Sequence, residues 1–98
     1  MNIASVYPAA GSVVDSSPGQ VRIWFDAELE SGLCSLQVVD EHGSQVSRGK
    51  AEVDQVNPEL LKASVLPLPA GVYRVHWRVL SKDGHVTQGD YRFTVRPK

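Results

Sequence analysis

Asp83 and His85 stand one residue apart, with glycine between them, in the stretch "WRVLSKDGHVTQGDYRF" that runs from Trp77 to Phe93. A carboxylate oxygen and an imidazole nitrogen on one tight loop are two hard-to-intermediate metal donors. The same tripeptide also fits a plainer role, because Asp-Gly between two alternating apolar runs is a strong hairpin signal. On these residues alone, a bare turn and a metal-binding turn both remain open.

The other residues able to do chemistry do not group along the chain. No serine lies in a Gly-x-Ser-x-Gly elbow, and His42, His76 and His85 are scattered over turns and strands, so a Ser-His-Asp triad is not expected. Glu28 and Glu30 would project to one side of an extended segment, the pattern of a solvated strand end. Cys34, in "GLCSLQVV", has apolar neighbours and reads as a small buried hydrophobe rather than a thiolate ligand. His42, in "DEHGS", belongs to a polar turn, and His76 faces away from Trp77 beside Arg74 and Arg78. No enzymatic activity is expected.

The elements that must position Asp83 and His85 are β-strands. Val21, Ile23 and Phe25 alternate with Arg22 and Trp24, and Tyr73, Val75, Trp77 and Val79 with Arg74, His76 and Arg78. Tyr91, Phe93 and Val95 repeat the scheme, and such period-two runs mark half-buried strands. Further strands are predicted at about 2–6, 33–40, 44–49 and 60–66. In "DQVNPELL", Asn57 ahead of Pro58 could cap one helical turn. Seven or so short strands separated by proline, glycine and serine predict an all-β fold, a two-sheet Greek-key sandwich. Residues 1–98 read as one domain, long enough to hold a core without staples.

Composition narrows the partners. The formal net charge is −1 with both signs scattered along the chain, so neither a nucleic-acid stripe nor a polybasic membrane patch is expected. No apolar run approaches a membrane span, and no charged-then-apolar leader opens the chain. Cys34 is the sole cysteine, so no internal disulfide forms and the compartment stays open.

The run "LPAGVYRVHWRVLSKDGHVTQGDYRFTV", from Leu68 to Val95, resembles the carboxy-terminal half of the CopC family of periplasmic copper-resistance and copper-handling proteins. "SVYPAAGSVV" and "PGQVRIWFDAELE" are similar to that family's amino-terminal part, so the resemblance spans nearly the whole chain. It implies a seven-stranded Greek-key β-sandwich or barrel, cupredoxin-like or immunoglobulin-like. It also implies Cu(II) bound by Asp83 and His85 together with the α-amine and imidazole of a leading histidine. The family's histidine would fall just before Met1, whereas this chain reads Met1-Asn2-Ile3, so Cu(II) is expected to be weakly held as the chain stands. Met1 offers an amine and a soft thioether, and as the sole methionine it excludes the methionine-rich loop of some members. Where relatives carry an acid two residues after the strand's phenylalanine, this chain has Ala27 between Asp26 and Glu28.

The function implied is a periplasmic Cu(II) carrier that buffers copper or passes it to an inner-membrane copper transporter. The alternative is a metal-free interaction module, with an exposed Trp24 and an uncovered edge strand as its docking elements. Oxidative chemistry at a histidine-brace copper would need a different chain start.

Overall fold

The computed structural model describes residues 2–97. Among these are eight strands and no helix: β1 (Ile3–Tyr7), β2 (Val13–Val14), β3 (Gln20–Phe25), β4 (Ser35–Val39), β5 (Ser47–Val53), β6 (Leu60–Val65), β7 (Gly71–Leu80) and β8 (Val86–Val95). They form two four-stranded sheets, ordered β1-β3-β6-β5 and β2-β8-β7-β4. The chain crosses between the sheets at every connection except β5–β6 and β7–β8, giving a Greek-key β-sandwich.

The alternation read from the sequence sets the inner faces. Val21, Ile23 and Phe25 of β3 are buried, and so are Tyr73, Val75 and Val79 of β7 and Phe93 and Val95 of β8. Leu61, Ala63 and Val65 of β6 face them, with Leu36 and Val38 of β4 closing the core. Each large apolar side chain withdrawn in this way stabilises the fold by about 1.5–3 kcal/mol. The Tyr73 and Phe93 rings, on directly paired residues, stack with centroids 5.6 Å apart.

Four differences from the sequence expectations have local causes. The eighth strand, β2, is only two residues long and has no alternation to detect. It exists because Val13 and Val14 pair in parallel with Thr94 and Val95. The strand expected at 44–49 begins later, at Ser47, because the Asp40 carboxylate first accepts the His42 and Ser44 amides in the β4–β5 turn. "DQVNPELL" makes a turn rather than a helical one. There Asp54, not Asn57, supplies the cap, its Oδ2 accepting the Val56 and Asn57 amides at 3.0 and 2.9 Å. Trp24 is half-buried on the outer face of its sheet instead of exposed.

Trp77 lies on the inner side of β7, directly across from Gly89 of β8. A Cβ on Gly89 would sit 2.7 Å from indole carbons Cζ2 and Cη2, so the ring needs a glycine beneath it. Gly89→Ala is expected to destabilise the fold by about 1–3 kcal/mol, the range for overpacking, as measured by urea denaturation.

Asp54 yields a pH-dependent expectation. The Asn57 amide is the largest influence holding its carboxyl below the usual range, and the Lys62 ammonium, 3.0 Å from Oδ1, acts in the same direction. The stabilisation is therefore complete above the unfolded carboxylate pKa of about 3.9 and is lost as pH falls through the lower folded value. Denaturation of Asp54→Asn should show a stability deficit at neutral pH that shrinks towards zero in strong acid. A deficit independent of pH would exclude the carboxylate as its source.

Candidate metal centre

The loop carrying Asp83 and His85 joins the two longest strands, β7 and β8, which pair without a break from Gly71↔Val95 to Leu80↔Val86. The Gly84 amide donates to the Ser81 carbonyl at 3.0 Å, and the Ser81 amide donates to the His85 carbonyl at 2.9 Å. Gly84 has φ +89°, the left-handed conformation that a short hairpin connection needs after its first turn and that glycine adopts without a Cβ clash. Asp-Gly is thus part of a hairpin connection, as the residue pattern predicts.

This turn brings the two side chains together. Asp83 Oδ1 lies 3.4 Å from His85 Nδ1, and the side chains are 64% and 69% exposed respectively. An ion arriving from solvent therefore meets both donors without displacing packed atoms. The Ser81 hydroxyl donates to Asp83 Oδ1 and is the largest influence on that carboxyl, holding it below its usual range.

The loop is anchored to the segment that leaves β3. The Lys82 amide donates to the Glu28 carbonyl at 2.9 Å, and the Glu30 amide donates to the Leu80 carbonyl at 2.8 Å. Between them Leu29 pairs with Ser81 and is 1% exposed. At the start of the same segment, Asp26 donates its amide to the Asn2 carbonyl at 2.9 Å and accepts the Asn2 amide on Oδ1 at 2.8 Å. The chain start and the Asp83–His85 loop thus share one pole of the sandwich. Met1, the residue expected to offer an amine there, lies outside the described residues. Ala27 is half-buried between these contacts, and its acidic neighbour Asp26 is engaged with Asn2.

The remaining candidates are not brought to this pair. His42 sits in the β4–β5 turn, and β4 runs antiparallel to β7, so that turn lies at the opposite end of the sheet. His76 is on the outer face of β7, across from Gln37 and Asp90. Cys34 is half-buried against the core and directs its thiol to the Glu30 and Leu80 carbonyls at 3.4 and 3.7 Å. Burial pushes that thiol's pKa up, in keeping with a small hydrophobe. Among the described residues no three His, Cys, Asp or Glu side chains converge as a metal cage. Asp83 and His85 are thus an N,O pair of exposed side chains with no third such donor beside them among the described residues.

Sequence reasoning gave Ser81 no role. The signal was present, a small hydroxyl residue closing an apolar strand two positions before a carboxylate. Its burial, however, is visible only once Leu29 is placed against it.

A CopC domain model matches residues 3–96. The chain is 32% identical over 89 residues to the Copper transport protein CutJ of Bacillus subtilis (strain 168), covering 90% of this chain but only 16% of CutJ. It is 50% identical over 87 residues to the Copper resistance protein C of Xanthomonas campestris pv. juglandis, covering 83% of this chain and 68% of that protein. The fold superposes on the crystal structure of CopC from Methylosinus trichosporium OB3b with a TM-score of 0.91 and 33% identity, over 98% of this chain and 93% of that one. Matches in sequence over nearly the full chain and in fold lead to one conclusion: this chain belongs to the CopC domain family.

Proposed function

We propose that residues 1–98 form a single copper-carrying domain that holds Cu(II) as cargo and releases it unchanged, without catalytic turnover. Asp83 supplies a carboxylate oxygen and His85 an imidazole nitrogen, half of the donor set. The observation that carries this proposal is the 3.4 Å approach of Asp83 Oδ1 to His85 Nδ1, on a loop bonded to the segment that also pairs with Asn2. The copper-related names of the relatives agree with it. By the same likeness the domain works in the periplasm, buffering copper or passing it to an inner-membrane copper transporter.

The donor chemistry favours Cu(II) over its neighbours. An imidazole and a carboxylate are nitrogen and oxygen ligands, for which divalent affinity peaks at copper. Open exposure of both side chains suits a carrier, because cargo must leave as readily as it enters.

A metal-free interaction module is the competing function, and one observation favours it: among the described residues no third ligating side chain joins Asp83 and His85. Half-burial of Trp24 counts against it by removing the exposed aromatic that such a module would use.

Isothermal titration with Cu(II), Ni(II) and Zn(II) separates the two. The carrier is expected to bind Cu(II) most tightly, and His85→Ala and Asp83→Ala are each expected to weaken that binding. Placing His-Ala ahead of Asn2 should raise Cu(II) affinity by about two orders of magnitude or more, since donors on one residue bind as a linked set. His85→Ala should remove that gain. Cu(II) binding equally weak in all five proteins would leave the module as the function.

Acidification supplies an independent check. A ligating imidazole must be unprotonated, so bound Cu(II) is expected to leave as pH falls, with proton uptake accompanying release. A release curve unchanged by His85→Ala would rule out His85 as a ligand.

A further inference from the structure

Ser81 directly follows β7 and is 1% exposed, yet it carries a hydroxyl into a place lined by the core residue Leu29. A buried hydroxyl without partners costs about 1–3 kcal/mol, so its bonds matter. Its Oγ donates to Asp83 Oδ1 and accepts the His85 amide at 3.2 Å. A hydroxyl has one proton, and donation to a carboxylate, being charge-assisted, takes precedence over the 3.4 Å approach to the His85 carbonyl. One oxygen atom therefore touches both members of the pair, the side chain of Asp83 and the backbone of His85.

Neither of these bonds is needed to make the turn. The backbone closes it through the Gly84 amide to the Ser81 carbonyl and the Ser81 amide to the His85 carbonyl, and it is tied down through the Lys82 amide to the Glu28 carbonyl. Removing the hydroxyl would leave these backbone bonds intact and free the His85 amide together with the Asp83 carboxylate, a side chain that is 64% exposed and otherwise at liberty to turn into water.

We infer that Ser81 is a positioning residue for the copper pair: its hydroxyl locks the Asp83 carboxylate against the loop and holds it beside the His85 imidazole. This role rests on the Cu(II) function proposed above. Ser81 itself does not ligate; it sets the orientation in which Asp83 meets the ion. Hydrogen-bond partners of metal ligands commonly contribute 10–100-fold to affinity.

The test compares the full chain with Ser81→Ala, Ser81→Thr, Asp83→Ala and His85→Ala, using Cu(II) alone as the probe. Affinity is measured by competition titration, the Cu(II) environment by electron paramagnetic resonance, and folding by thermal unfolding. Ser81→Ala is expected to weaken Cu(II) binding by about 10–100-fold and to change or broaden the copper hyperfine pattern while keeping a cooperative unfolding transition. Ser81→Thr, which retains the hydroxyl, is expected to restore affinity and spectrum together. Weakened binding in Asp83→Ala and His85→Ala with parent-like affinity and spectrum in Ser81→Ala would overturn the role of Ser81 and leave the copper pair standing. A Ser81→Ala protein that loses only thermal stability would overturn it likewise, since that outcome marks a purely structural serine. Unchanged binding in both Asp83→Ala and His85→Ala would remove the copper pair itself, and the positioning role with it.

Discussion

Two backbone hydrogen bonds and one buried leucine clasp the two sheets together at the pole where the candidate copper donors lie. Leu29 enters the core from the segment after β3, and on either side of it Glu28 and Glu30 pair with Lys82 and Leu80 across the sheet boundary. A free hairpin of two ten-residue strands would wag at its tip, because a tip has no partners beyond its own ladder. Here the tip is stitched to a neighbouring segment whose leucine is held by the core. The donors are exposed while the backbone that presents them is fixed, the combination a binding loop on a rigid scaffold requires.

That clasp also joins the loop to the chain start. The segment from Asp26 to Glu30 pairs with Asn2 at one end and with the loop at the other, so residues far apart in sequence meet along one short strip of backbone. A metal site gathered this way needs few residues of its own. The entropy of collecting distant donors is met by the folding of the sandwich as a whole, chiefly by its apolar core. Surface ion pairs contribute little in comparison: Arg74–Asp90 at 3.5 Å and Arg96–Asp15 at 3.1 Å are both largely exposed.

At the loop itself, the division of labour follows burial. Gly84 supplies the turn's left-handed step, Asp83 and His85 face water, and Ser81 beneath them is enclosed. Cys34, near the same pole, is turned inward onto two carbonyl oxygens and has its thiol form favoured by burial. Hard oxygen and borderline nitrogen donors are thus presented outward while the soft sulfur is withheld, in keeping with the Cu(II) cargo proposed above.

What the amino-acid order determined by itself is whatever depends on neighbours along the chain. Period-two alternation in "VRIWF", "YRVHWRV" and "YRFTV" set β3, β7 and β8 and their buried faces, because a strand's side chains alternate whatever lies beside it. Asp-Gly between two such runs marked the hairpin, and the one-residue spacing of Asp83 and His85 marked the pair. What only the tertiary structure decided is whatever depends on partners distant in sequence. The two-residue β2 arises from parallel pairing with β8, Asp54 rather than Asn57 caps its turn, and Leu29 is drawn inside from an acidic segment. The burial of Ser81 under the pair and the arrival of Asn2 at the same pole belong to this class too. Backbone amides and carbonyls make most of these contacts, and they are the same in every residue, so no side-chain pattern announces them in advance.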